Sequence, residues 1–171
     1  MGQDIAIAIV EDEPTTRASL VERLHAAGHF RLAWQAGTLA EARACLGRVR
    51  PDVAIVDLGL PDGSGLDLIA EAHAADPPVA VLVLTVFGDE RKLIRAIERG
   101  ARGYLLKDEP VIGLVEAIEQ IRAGGAPISP AIARHLIARL VPPDAPAAEG
   151  RLTAREVEVL RLSAKGYNHG E

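Results

Sequence analysis

Val53-Ala54-Ile55-Val56-Asp57-Leu58-Gly59-Leu60-Pro61-Asp62-Gly63-Ser64-Gly65 is the stretch on which the reading of this chain turns. Its first four residues are apolar and mostly β-branched, which predicts a short strand buried on both faces. The run stops at the carboxylate of Asp57, and the Gly/Pro/Asp/Ser-rich residues behind it form a loop that leads into a helix. Open α/β sheets gather their ligands at the carboxyl ends of the strands, so Asp57 stands where a reacting group would stand. A single loop aspartate is more commonly a helix cap, and the rest of the chain has to supply the rest of a site.

Outward from this stretch the same pattern recurs. Upstream, Ile5 to Val10 is an apolar run closed by Glu11-Asp12-Glu13-Pro14. A helix follows, with Leu20, Val21, Leu24 and Ala27 on one face and Gly28 at its end. Phe30 to Ala36 predicts a second strand, and Thr38 opens a helix with Leu39, Ala42, Leu46 and Val49 inward, stopped near Pro51.

Downstream, Leu66, Ile69, Ala70 and His73 set a third helix ending before Pro77-Pro78, and the very hydrophobic strand Val79 to Leu84 runs into Thr85. Asp89 caps a fourth helix with Leu93, Ile94 and Ile97 inward. Ala101 to Leu106 is a fifth strand closed by Lys107, and Val111, Leu114, Val115, Ile118 and Ile121 mark a fifth helix. Five strand-helix repeats predict an α/β fold, a doubly wound parallel sheet with right-handed crossovers. The flavodoxin-like order 2-1-3-4-5 puts the switch point between strands one and three, which sets Glu11 and Asp12 beside Asp57.

The 171 residues hold one domain of about 120 to 150 residues and a remainder. Hydrophobic residues at 49% and charged ones at 25% fit a soluble globular protein. With 3% aromatics, the core has to come from Val, Leu, Ile and Ala. A net charge of −5 argues against a surface dominated by phosphate-binding Lys and Arg. Cys45 is the single cysteine, so no internal disulfide forms. The amino terminus lacks a basic start and no apolar run reaches about 18 residues, so a cytoplasmic protein without a membrane span is expected.

After Gly124-Gly125, Ser129 caps and Pro130 opens a short helix carrying Ile132, Leu136 and Leu140. Residues 141–150 contain three prolines and no periodicity, the pattern of a linker. Thr153 and Glu156 then form a capping box ahead of Val157, Leu160 and Ala164. The expected division is a domain over 1–125, a short helix and linker over 126–150, and the start of another module over 151–171.

The predicted strand ends carry Glu11, Asp12, Asp57, Thr85 and Lys107. Clustered carboxylates repel one another unless a cation sits among them. A hard divalent ion such as Mg2+, bound through oxygens with waters retained, suits a partly open site of this kind. Lys107 adds a point charge and Thr85 a hydroxyl donor, which together make a site for a phosphoryl group on Asp57. Glu13, Asp62 and Asp108 read as solvated loop charges, and His25 and His29 lack a third metal ligand.

These residues give residues 5–123 a resemblance to the receiver domain of bacterial two-component response regulators. The resemblance implies that Asp57 accepts a phosphoryl group from a sensor histidine kinase. It further implies that Asp12, Asp57, Glu11 through water and the Gly59 backbone carbonyl hold Mg2+, and that Thr85 and Lys107 contact the phosphoryl oxygens. Tyr104 is then the aromatic that moves with Thr85. Asp108 stands where many relatives have proline, and Val86 is larger than the residue usual after the threonine.

Leu152 to Gly166 resembles the opening of a LuxR-type helix-turn-helix, as in NarL/FixJ-type transcription regulators. That likeness implies DNA binding by the full-length protein, though not specific binding by these 171 residues, and leaves homodimer formation open. No enzymatic activity is implied. An aspartyl-nucleophile phosphatase of similar fold needs a second carboxylate two residues after Asp57, where this chain has Gly59.

Overall fold

The apolar runs become strands in the structure, a computed structural model that describes residues 4–86, 90–108, 111–130, 132–134 and 137. They are β1 (Ile5–Val10), β2 (Phe30–Ala36) and β3 (Val53–Val56), a hairpin of β4 (Gly59–Leu60) and β5 (Gly63–Ser64), then β6 (Ala80–Thr85) and β7 (Gly103–Leu106). Between them run α1 (Pro14–Ala26), α2 (Leu39–Leu46), α3 (Gly65–Ala74) and α4 (Glu90–Glu98), and α5 (Val111–Arg122) closes the series. The main sheet is parallel in the order β2-β1-β3-β6-β7, the 2-1-3-4-5 arrangement expected. The β4–β5 hairpin, read from sequence as plain loop, is too short to announce itself by periodicity.

Alternation along the strands divides the core in two. Ala8, Val10, Ala54, Val56, Val81, Val83 and Tyr104 pack with residues of α2, α3 and α4. Ile7, Ile9, Val53, Ile55, Leu82, Leu84 and Leu105 pack with α1 and α5. All four residues of β3 are at most 3% exposed. Trimming Ile55 to alanine there removes about 2–5 kcal/mol, the usual range for a buried aliphatic.

In three helices the buried face contains most of the residues the spacing predicts but departs from it at one margin. α2 stops at Leu46 with Gly47 as its C-cap, so Val49 is 47% exposed and its carbonyl accepts the Trp34 Nε1 hydrogen bond at 2.8 Å. α3 packs against both α2 and α4, which widens its buried arc to Leu66, Leu68, Ile69 and Ala72 and leaves His73 exposed. α4 approaches the sheet through Leu93 and the small Ala96, leaving Ile97 42% exposed.

The chain divides into two compact units, Met1–Leu136 and Ile137–Glu171. The first runs past the expected boundary at 125, because residues 127–129 line the free edge of β7. Tyr104 N–H donates to the Pro127 carbonyl (2.9 Å), Ser129 N–H donates to the Tyr104 carbonyl (3.1 Å), and Ile128 forms a parallel bridge with Tyr104. Pro130 then starts a helical turn, with Ala133 N–H donating to the Ser129 carbonyl, and Ile132 is 1% exposed in the core with Tyr104. Ser129 stands at the position before the turn, its carbonyl accepting the first intrahelical bond, while its buried hydroxyl has no hydrogen-bond partner among the described residues. Of the second unit only Ile137, which is exposed, is described. The expected cap at Asp89, the helix residues Leu136 and Leu140, the linker from 141 and the Thr153/Glu156 box lie outside the described residues. Among those described, no helix is long and apolar enough to cross a membrane.

Candidate functional site

Strand geometry brings four of the predicted residues to one point. β1 and β3 are neighbours in parallel register, so their carboxyl ends lie side by side, and Asp57 N–H donates to the Val10 carbonyl at 2.9 Å. Glu11, Asp12 and Asp57 offer carboxylate oxygens within 4.8 Å of one another. Glu11 is 1% exposed and Asp57 8%, whereas Asp12 is exposed.

Lys107, just past β7, answers this charge. Its Nζ lies 2.6 Å from Glu11 Oε2 and 2.7 Å from Asp57 Oδ2. Burial pushes the Glu11 carboxyl above its ordinary value, reinforced by the Asp57 charge and opposed by the hydrogen bond and charge of Lys107. Burial also disfavours the Lys107 ammonium, yet the two carboxylates outweigh it and its pKa is raised. The other Asp57 oxygen, Oδ1, accepts a hydrogen bond from Gly59 N–H at 3.3 Å, and the second oxygen of Glu11 accepts from Glu13 N–H at 3.3 Å. A carboxylate held in this way by one N–H and one ammonium is oriented, which is what an oxygen nucleophile requires.

Thr85 meets the cluster through its backbone, and Tyr104 lies farther back along the neighbouring strand. Thr85 is half-buried at the end of β6, and its carbonyl accepts the Lys107 N–H at 2.8 Å. No hydrogen bond joins its hydroxyl to Asp57 or Lys107 among the described residues. Tyr104 is 1% exposed in the core shared with α2, α3 and α4, two register steps from the Thr85–Leu106 pair. Gly59 is exposed at the start of the hairpin. A depression of about 440 Å³ runs from Lys107 along α1, lined by Thr15, Thr16, Ser19, Arg23 and the exposed Val86.

Two of the three charges read as solvated have structural work. Glu13 is the N-cap of α1, accepting from Thr15 and Thr16 N–H, and those bonds lower its pKa to about 2. The signal was present in Glu13 standing directly before a first-turn proline. Asp62 accepts from Leu39 and Ala40 N–H at the start of α2, a contact spanning 22 and 23 residues that no local pattern reveals. Asp108 is exposed as expected. Arg17 was not singled out, yet its Nη1 donates to the Glu11 carbonyl and so braces the acidic turn from α1.

The chain is 33% identical over 136 residues to the DNA-binding transcriptional activator DevR/DosR of Mycobacterium tuberculosis, a match covering 80% of this chain and 63% of that protein. It is 30% identical over 172 residues to the oxygen regulatory protein NreC of Staphylococcus carnosus, covering 96% and 79% of the two chains. Among solved structures, a LuxR-family two-component response regulator from Aurantimonas sp. is similar with a TM-score of 0.77 at 27% identity, covering 82% of this chain and 100% of that one. Residues 7–119 match the response regulator receiver domain, and with its sheet order and strand-end cluster this chain belongs to the family of two-component response regulators.

Proposed function

We propose that Asp57 is the phosphoacceptor of a signalling receiver whose donor is the phosphohistidine of a sensor kinase. The observation that carries this reading is the Lys107 ammonium 2.7 Å from the Asp57 carboxylate, inside a cluster with Glu11 and Asp12. In the transfer, an Asp57 oxygen attacks phosphorus, the phosphorus–nitrogen bond breaks, and the freed imidazole nitrogen keeps the electron pair and is protonated. The product is an acyl phosphate on Asp57. The depression along α1 gives a donor side chain room to approach beside Lys107.

The donor set suits Mg2+: three carboxylates with hard oxygens, within 4.8 Å, that already draw in a cation. Asp12, Asp57, Glu11 through water and the Gly59 carbonyl would hold it. When bound, Mg2+ neutralises phosphoryl charge. Lys107 then turns its ammonium from Glu11 to a phosphoryl oxygen, and Thr85 supplies a hydroxyl donor that its present position leaves unused. Thr85 moving inward gives Tyr104 a second arrangement, the differential contact a switch needs.

By the same reading the receiver domain, expected over 1–125 and extended by the residues beyond it that line β7, leads through the linker that ends at 150 into the LuxR-type segment (151–171), and the output is transcriptional, in keeping with the DNA-binding relative DevR/DosR. The chain acts in the cytoplasm as a phosphorylated regulator and not as an enzyme. Intact-mass analysis after incubation with a small phosphodonor and Mg2+ tests the core of this. One phosphoryl mass gain is expected for the natural chain and none for Asp57→Asn with its fold retained. Equal labelling of the two, or rapid turnover of phosphomonoesters, overturns it.

A further inference from the structure

The loop between β3 and α3 is fastened from outside itself. Asp62, at the tip of the β4–β5 hairpin, accepts hydrogen bonds from Leu39 N–H at 2.7 Å and Ala40 N–H at 2.9 Å, the opening residues of α2. N–H groups at a helix start have no partner within the helix and are free to hold an external carboxylate. α2 already has a cap of its own, Thr38, whose hydroxyl accepts from Glu41 N–H at 3.1 Å. Asp62 therefore pins the hairpin more than it completes the helix.

Two steric observations agree. A Cβ on Gly63 would come within 2.6 Å of the Leu39 side chain, so the hairpin lies directly against α2. A Cβ on Gly65 would come within 2.2 Å of the Asp57 carbonyl, so the far end of the loop folds back onto the strand end. Between these anchors lies Gly59, tied into the hairpin by its pairing with Ser64 and directed at Asp57 Oδ1 through its N–H.

We propose that Asp62 is a positioning residue for the cation and phosphoryl site, fixing the backbone of Gly59 by fastening the hairpin to α2. The inference rests on the reading of Asp57 and Gly59 given above. With the fastening intact, the Gly59 carbonyl is presented to an ion without ordering the loop at the moment of binding. Without it, the ion has to pay that ordering, so affinity falls while the chemistry, once the ion is bound, proceeds as before.

The full chain and its Asp62→Ala, Asp62→Asn and Thr38→Ala variants are titrated with Mg2+ by calorimetry. Amide exchange of residues 58–64 is followed without Mg2+, and phosphorylation by a small phosphodonor is measured at limiting and saturating Mg2+. Asp62→Ala is expected to weaken Mg2+ binding about tenfold, the low end for outer-shell partners of a metal. Its exchange at Gly59 and Leu60 should quicken. At saturating Mg2+ its phosphorylation rate should return to within about twofold of the natural chain, the signature of lost ground-state binding. Asp62→Asn keeps an acceptor and should fall between the two. It carries the comparison if Asp62→Ala does not fold. Thr38→Ala frays α2 without releasing the hairpin, and its Mg2+ affinity should not change.

Equal Mg2+ affinity for Asp62→Ala and the natural chain overturns the inference. So does a loss in Thr38→Ala as large as that in Asp62→Ala, because the effect would then belong to α2 in general. A natural chain that binds Mg2+ but gains no phosphoryl group refutes the proposed function and leaves the Asp62 comparison readable.

Discussion

Lys107→Met asks whether the strand-end carboxylates need a cation. Methionine keeps most of the apolar stem of the side chain and removes its charge, so Glu11 Oε2 and Asp57 Oδ2 lose partners at 2.6 and 2.7 Å. Stripping one partner from a fully buried ion pair costs about 3–5 kcal/mol. Here the Lys107 side chain is 16% exposed and Asp12 opens to solvent, so water recovers part of that and about 2 kcal/mol is expected. For a domain of this size the melting temperature should fall by about 6–8 °C.

The deficit should depend on pH in a defined direction. The folded pKa of Glu11 already lies above its ordinary 4.5, and losing Lys107 removes two influences that hold it down. A carboxyl with a raised folded pKa favours the native state fully below 4.5 and loses that contribution as pH rises through the folded value. The variant should therefore approach the natural chain as the medium is acidified from neutrality.

Mg2+ should act the same way. An ammonium about 6 Å from a divalent ion in water-like surroundings repels it by about 1.4 kcal/mol, so the variant should bind Mg2+ roughly tenfold more tightly. Well above both dissociation constants, this difference restores about 1.4 kcal/mol of the deficit. Thermal unfolding with and without Mg2+ across pH, together with calorimetry, measures each part. An unchanged melting temperature with unchanged or weaker Mg2+ binding refutes the electrostatic account of the cluster.

Gly65→Ala forces a Cβ toward the Asp57 carbonyl and should cost about 3 kcal/mol, read as a lower urea midpoint. Ile132→Ala, at a position 1% exposed in the main core, should also cost about 3 kcal/mol, and an unchanged midpoint would return the receiver boundary to residue 125. Glu13 and Asp62 have folded pKa values below their ordinary 4.5 and 3.8, so each contributes stability that is present above those values and lost as pH falls through the folded ones. Glu13→Gln with Asp62→Asn should accordingly flatten the acid limb of the stability profile, and an unaltered acid midpoint would count against both caps.

The strands and their order were legible because apolar runs such as Ile7 to Val10 and Val53 to Val56 face helices on both sides and admit no polar residue. The strand-end cluster was legible for a related reason, since a parallel sheet aligns its carboxyl ends and Glu11, Asp57 and Lys107 each end an apolar run. Helix faces were less so. Spacing marks a stripe but not its width, and Leu68 and Ala72 are buried only because α3 lies between two other helices. Asp62 was illegible in principle, because what separates a solvated loop charge from a clamp is an N–H group 22 or 23 residues away.

β7 ties the site to the chain beyond α5. On one side it pairs with β6, where Thr85 opposes Leu106 and the Thr85 carbonyl accepts the Lys107 N–H. On the other side Tyr104, two residues before Leu106, gives both its N–H and its carbonyl to residues 127 and 129. A strand only 4 residues long cannot shift at one edge and stay fixed at the other without breaking one set of these bonds. In the proposed reading, movement of Thr85 and Lys107 toward a phosphoryl group acts on that strand directly, and Tyr104 and Ile132 share one packed cluster on its inner face. In that reading residues 127–129 sense the receiver state through backbone pairing as well as through movement of the Tyr104 ring. Residues 127–129 should show a change in amide exchange on phosphorylation even where Tyr104→Phe removes the hydroxyl, because the Tyr104 backbone bonds do not depend on it.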